Sequence, residues 1–343
     1  VVWALLITSL ATSTAITMAS NHWFLAWLGL ELNTLAILPV MMKHPHPRAT
    51  EAATKYFIIQ AMAAANILLA STINAWSTGN WSIMHTNSTL TTTLATTAIM
   101  MKLGLAPVHL WYPDVLQGVP LYTAMLVSTW QKIAPLSLLY MMHSHLNLTL
   151  VLLVGLLSAI VGGWAGLNQT QSRKIMAFSS IAHMGWLMAA LAASQSLTTL
   201  TMVTYLITTT AIFTALAATS TKTILDLGTT WGTAPMTTTV LMITLMSLAG
   251  LPPLTGFMPK WLIIKELAAT HLAPLAIALL ISSLPSLYFY TRMTYIAMLT
   301  TPPMTHNTKL KWRYHTNLHS STTLLAAAAT LTLPMAAALY NTT

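Results

Sequence analysis

Eleven predominantly apolar runs follow one another along this 343-residue chain, at approximately 3–20, 23–42, 52–76, 88–107, 120–142, 147–167, 174–193, 198–220, 236–255, 272–292 and 321–340. Each is close to the ~20 residues a helix needs to cross a hydrocarbon layer of ~30 Å. A bilayer offers backbone polar groups no solvent partner, so a spanning segment must bond internally as a helix or close into a barrel. The runs are long and do not alternate, which argues against a β-barrel. The chain therefore reads as an all-α, polytopic membrane protein. It is expected to form a single transmembrane domain over 1–343, with approximate repeats at 1–142 and 147–292 and a C-terminal helix at 321–340.

Composition supports the same conclusion. Only 6% of residues are charged and 55% are hydrophobic, with a mean hydropathy of +0.68. Soluble domains carry about a quarter charged residues, so this chain lacks the charged skin that water requires. The net charge of +9 does not point to nucleic acid, because the basic residues are scattered in short clusters between apolar runs. Such binders present a basic stripe on a soluble fold. There is no cysteine, which excludes disulfides, cysteine-ligated iron–sulfur clusters and thiol catalysis in this chain. No basic n-region marks a signal peptide; the chain opens at Val1 inside an apolar run, and a few preceding residues are expected.

The basic residues carry topology information. With the first helix starting inside, the inner loops are 43–51, 108–119, 168–173, 221–235 and 293–320. Lys43, Arg48, Arg173, Lys222, Lys309, Lys311 and Arg313 fall within them, and Lys55, Lys174 and Arg292 at adjoining helix ends. The outer loops 77–87, 143–146 and 194–197 hold neither Lys nor Arg. This is the positive-inside asymmetry, and with eleven spans it puts the N-terminus inside and the C-terminus outside.

Four lysines escape that explanation: Lys102, Lys132, Lys260 and Lys265. Lys102 and Lys132 lie within predicted spans, as does Glu31. A charge at the bilayer centre costs roughly 2.5–3.5 kcal/mol on insertion scales, so it must be paired, hydrated or neutralised. Burial penalises the charged form, which brings an amine or carboxyl within reach of proton exchange at neutral pH. A series of such groups can act as a proton relay, switched by moving a charged partner. The structural alternative is that Glu31 pairs with Lys102 merely to hold two helices together. For Lys260, snorkelling to the outer interface competes with a re-entrant break that would keep it deep. Lys265 and Glu266 are adjacent, so on a helix they point apart.

Two stretches form a faint internal repeat. Gly104 and Pro107 interrupt one apolar helix, and Pro252 and Pro253 another; Pro107–Pro113 and Pro253–Pro259 share a spacing of six. Broken helices in corresponding halves are a pointer to a transport site. His109 and His183 read as packing histidines before relay members. His44 and His46 lack a third nearby ligand and read as loop residues, so no metal site is expected. Asp114 reads as a helix-end or loop residue. The Thr-rich helices need no function, since a hydroxyl can bond its own backbone. Gly162 and Gly166 suit close helix packing.

Several longer motifs are distinctive: Ser20-Asn21-His22-Trp23, Glu31-Leu32-Asn33-Thr34-Leu35-Ala36-Ile37, Glu51-Ala52-Ala53-Thr54-Lys55-Tyr56-Phe57, Met101-Lys102-Leu103-Gly104-Leu105-Ala106-Pro107, Gly166-Leu167-Asn168-Gln169-Thr170-Gln171, Arg173-Lys174-Ile175-Met176-Ala177-Phe178 and Leu248-Ala249-Gly250-Leu251-Pro252-Pro253-Leu254-Thr255-Gly256-Phe257. By these the chain resembles, over its whole length, the NADH–ubiquinone oxidoreductase chain 2 family, membrane subunits of mitochondrial respiratory complex I.

The resemblance implies an antiporter-like fold of inverted five-helix repeats, each with a broken helix. It implies that Glu31 and Lys102 form the Glu–Lys pair, that Lys132 is the central lysine, and that Lys260 is the distal lysine. The implied function is proton translocation coupled to NADH-to-ubiquinone electron transfer, in a multi-pass protein of the mitochondrial inner membrane. FMN and iron–sulfur clusters would belong to other subunits, leaving this chain without cofactor. Implied partners are the chain 4 and chain 4L neighbours, accessory subunits and lipids such as cardiolipin. The implied missing N-terminal residues should leave the charged axis intact. Two rival functions are a free-standing cation/proton antiporter of the same fold and a structural scaffold.

Overall fold

The computed structural model describes residues 2–43, 46–86, 88–299 and 320–331, so His44, Lys309, Lys311 and Arg313 lie outside the described residues. Among these residues the regular elements are helices, with two isolated β-bridges. They divide into two compact units, Val1–Gly155 and Leu156–Thr343.

The first unit contains α1 (Val2–Ala19), α2 (Trp23–Met41), α3 (Pro47–Thr78), α4 (Thr89–Leu103), α5 (Trp111–Gly118), α6 (Leu121–Ser128) and α7 (Trp130–Met141). The division falls within α8 (Leu148–Gly166). The second unit continues with α9 (Ser172–Ala193), α10 (Gln195–Thr219), α11 (Ile224–Thr233), α12 (Pro235–Ala249), α13 (Phe257–Ala269), α14 (Ala273–Leu299) and α15 (Ser320–Leu331). Seven of these, α1, α2, α3, α8, α9, α10 and α14, are long and apolar enough to cross a membrane uninterrupted. Their exposed faces carry large apolar side chains such as Leu5, Ile58, Leu153 and Leu284, as contact with lipid requires.

Polarity inside the helices is handled locally. Thr14, Thr17, Thr201 and Thr244 each donate to a backbone carbonyl three residues back, so buried hydroxyls remain satisfied without partners on other helices. Missing side chains let helices approach. A Cβ on Gly29 would lie 2.6 Å from Thr17 Cγ2, so α2 needs glycine where it meets α1. One on Gly162 would lie 2.6 Å from Ala182 N, against the backbone of α9.

The departures from the expected spans are informative. The run 88–107 stops as a helix at Leu103, because Gly104 turns the chain into the left-handed region at φ +74°. The run 236–255 stops at Ala249 in the same way, with Gly250 at φ +84°. In each unit the helix end is sealed by the same pair of bonds. Gly104 N donates to Met101 O and Leu105 N to Met100 O; Gly250 N donates to Ser247 O and Leu251 N to Met246 O. These are Schellman caps, which favour glycine. Pro107, Pro252 and Pro253 lie exposed in the turns that follow.

Each break then resumes as a helix that hydropathy did not register. The expected inner loop 108–119 holds α5, whose third residue is Pro113, a first-turn position where proline costs no hydrogen bond. Residues 257–269, outside every expected run, form α13. The expected span 120–142 is also interrupted, giving α6 and α7 on either side of Thr129. There the hydroxyls of Ser128 and Thr129 both donate to Met125 O, at 2.9 and 2.6 Å, and Thr129 adopts φ −114°, ψ −70°. Side-chain hydroxyls competing for backbone carbonyls bend helices in this way.

Candidate functional site

In the first unit, polar side chains from five helices line one small cavity. α2 contributes Asn33 and Thr34, α3 contributes Tyr56 and Gln60, and α4 contributes Lys102. α5 supplies Trp111 and Tyr112, and α7 supplies Gln131 and Lys132. The breaks make this convergence possible. Gly104 ends α4 two residues after Lys102, and the chain returns as α5 to place Tyr112 against the same space. The interruption at Thr129 puts Gln131 and Lys132 in the first turn of α7.

Lys102 and Lys132 are 6% and 3% exposed. The ammonium of Lys132 lies 4.8 Å from the centroid of the Tyr112 ring, a cation–π distance. Lys102 Nζ and Glu31 Oε2 are both buried without a hydrogen-bond partner. Among the described residues, ion pairs join Lys55 to Glu51 and to Asp114, while Glu31 and Lys102 form none between them. Glu31 nevertheless interacts electrostatically with both Lys102 and Tyr56.

The second unit has a small cavity lined by Lys260, His183, Trp186, Tyr205 and a row of threonines on α10. Lys260 Nζ donates to Ala249 O at 3.0 Å, at the end of α12, and lies 5.8 Å from the Trp186 ring centroid. The lysine thus folds back over the break. His183 Nε2 stands 3.5 Å from Tyr290 Oη, and its ring lies 5.9 Å from that of Tyr205. His109 stays within the first break, with Nδ1 3.1 Å from Pro107 O.

Glu31, Lys102 and Lys132 are thus all in the first unit, and Lys260 is in the second. Sequence reasoning did not single out Asn33, Tyr56, Gln60, Tyr112, Gln131, Trp186 or Tyr205. Asn33 and Tyr56 stand inside the distinctive motifs that begin at Glu31 and Glu51, and Gln131 directly precedes Lys132, which was the available signal. Among the described residues no group of three or more His, Asp or Glu side chains is placed to hold a metal. Asp114 is a first-turn residue of α5, where the helix dipole favours its charge.

A multi-pass bundle with glycine-capped broken helices and buried lysines beside the breaks is the architecture of antiporter-like membrane chains. Residues 20–286 match the family described as NADH:quinone oxidoreductase/Mrp antiporter, TM, and residues 287–340 match NADH dehydrogenase subunit 2 C-terminus. A chain of respiratory complex I from Thermus thermophilus superposes with a TM-score of 0.84 at 24% identity, covering 98% of this chain and 76% of that one. A chain of the Mrp complex from Dietzia sp. superposes with a TM-score of 0.83 at 15% identity, covering 98% and 75%. These likenesses establish the fold. NADH-ubiquinone oxidoreductase chain 2 of Xenopus laevis is 50% identical over 331 residues, covering 96% of this chain and 95% of that protein. The Gallus gallus protein of the same name is 48% identical over 327 residues, covering 95% and 94%. The chain belongs to the NADH-ubiquinone oxidoreductase chain 2 family.

Proposed function

We propose that this chain is a proton-translocating membrane subunit of respiratory complex I, coupling NADH-to-ubiquinone electron transfer to proton movement through Glu31, Lys102, Lys132 and Lys260. The redox centres, NADH and quinone are handled by other subunits. The observation that carries the reading is Lys102: a buried ammonium with no hydrogen-bond partner, sharing one cavity with Lys132 and in electrostatic but not bonded contact with Glu31. A scaffold would be expected to join Glu31 and Lys102 directly, because an unpaired buried charge costs several kcal/mol.

In the proposed cycle, a change in the Glu31–Lys102 interaction alters proton occupancy at Lys132 and then at Lys260. Internal waters bridge gaps too long for direct contact. Lys260 holds the distal position, with the end of α12 as a neutral acceptor when it is charged. The chain sits in the mitochondrial inner membrane, N-terminus on the matrix side and C-terminus on the intermembrane-space side. Its partners there are neighbouring membrane subunits, chain 4 and chain 4L among them, with accessory subunits and lipids such as cardiolipin.

The experiment is proton pumping per electron in membranes carrying Lys102→Met, with assembly and electron transfer measured separately. Assembled complex with reduced pumping is the expected result. Full pumping at normal electron transfer would leave the scaffold reading in its place.

A further inference from the structure

The buried polar groups of the first unit include one chain of hydrogen bonds that the relay does not use. Gln131 Nε2 donates to Asn33 Oδ1 at 3.1 Å, and Gln131 Oε1 accepts from Tyr56 Oη at 3.4 Å. Asn33, Tyr56 and Gln131 are 2%, 2% and 8% exposed, and all three line the cavity that holds Lys102 and Lys132. Each comes from a different helix: α2, α3 and α7.

Their placement in sequence matters. Asn33 follows Glu31 by two residues on α2, and Gln131 precedes Lys132 directly in the first turn of α7. Tyr56 lies within electrostatic reach of Glu31. Neutral amides are neither acids nor bases at physiological pH, so Asn33 and Gln131 add no proton-accepting step. Holding helices together does not require them either, since burying polar groups costs more than burying apolar ones unless every bond is made. A satisfied buried network does fix geometry, and it does so in a low dielectric where each dipole is felt strongly.

We propose that Gln131 is a positioning residue of the relay: by bridging Asn33 and Tyr56 it ties the helix bearing Glu31 to the turn bearing Lys132, so that charge at Glu31 governs proton occupancy at Lys132. The inference rests on the relay reading above. It gives the interruption at Thr129 a purpose, because that break brings Gln131 and Lys132 together into the cavity at a helix start. The titratable groups around the bridge are Glu31 on α2, Tyr56 on α3, Lys102 on α4, Tyr112 on α5 and Lys132 on α7.

The test uses intact complex in membranes, with assembly, NADH-driven quinone reduction and protons per electron followed across a pH series. Three variants are compared: Gln131→Glu, the triple Asn33→Leu/Tyr56→Phe/Gln131→Leu, and Lys132→Met. Gln131→Glu keeps the shape and the bond accepted from Tyr56, but replaces the donor to Asn33 with an oxygen, so it cuts the bridge on one side while filling the same space. Its pH midpoint of pumping is expected to move by about one unit, the scale of one buried hydrogen bond. The triple variant leaves no unpaired buried polar atom from the bridge. It is expected to assemble yet pump about half as many protons per electron or fewer, since small misplacement of a reacting group is costly. A native pH midpoint in assembled Gln131→Glu, or native pumping in the triple variant, would overturn the proposal and reduce the bridge to packing. Lys132→Met separates the two levels. If it loses pumping while the bridge variants pump normally, only this inference fails. If it too pumps normally, the relay itself fails.

Discussion

Lys260 reaches back across the second broken helix to donate a hydrogen bond to Ala249 O at 3.0 Å, and Gly250 leaves the room for it to do so. A Cβ at Gly250 would lie 3.1 Å from both Cδ and Nζ of Lys260, in a residue already at φ +84°. The α12 cap and the lysine's position are therefore one structural feature. Gly250→Ala should cost about 1–2 kcal/mol from the left-handed backbone alone, and should also displace the ammonium. Thermal unfolding of the purified complex, set beside pumping per electron, checks both. A variant with native stability would contradict the cap's role.

The exposed ion pairs should matter far less. Lys55 Nζ lies 2.8 Å from Glu51 and 2.9 Å from Asp114, with side chains 41% and 48% exposed in the second pair. Such pairs contribute about 0.2–1 kcal/mol and are screened by salt. Asp114→Asn should lower thermal stability only within that range, and the difference should shrink at high ionic strength. A large, salt-independent loss would mean that the pair is buried in the assembled complex.

Asp226 supplies a pH-dependent contribution outside the spans. Its carboxylate accepts from Thr223 N at 2.8 Å and Lys222 N at 3.2 Å, while Thr223 Oγ1 accepts from Asp226 N in a capping box. The Thr223 backbone N–H above all, then the Thr223 hydroxyl, the Lys222 N–H and the Lys222 charge hold its carboxyl below the usual range, against the effect of partial burial. A depressed folded-state value means stability that is present above the unfolded value of ~3.9 and lost as pH falls through the folded one. Asp226→Ala should cost about 1 kcal/mol at neutral pH. The gap between variant and native chain should close in strong acid, as differential scanning at several pH values will show.

What the sequence made legible follows from which costs are large. Charge is so expensive in lipid that long runs with at most one charged residue identified the seven uninterrupted helices directly, and the same cost singled out Glu31, Lys102 and Lys132. Glycine's freedom at positive φ marked the first break at Gly104. The interruption at Thr129 was invisible, because Ser and Thr pairs recur throughout this chain without bending most helices. α13 was missed because Lys260, Lys265 and Glu266 lower its hydropathy, although Lys260 is satisfied by a backbone carbonyl. Asn33 and Gln131 carry too small a transfer cost to stand out, and only the fold brings them together. The expected contact between Glu31 and Lys102 is the opposite case. The insertion cost required each to be paired, hydrated or neutralised, and the structure brings them into electrostatic range without an ion pair.

Protons pumped per electron by assembled complex carrying Lys132→Met test the relay most directly, because Lys132 lies 3% exposed in the cavity it shares with Lys102. Normal assembly is expected, with pumping reduced or abolished. Normal electron transfer with full native pumping would contradict the relay.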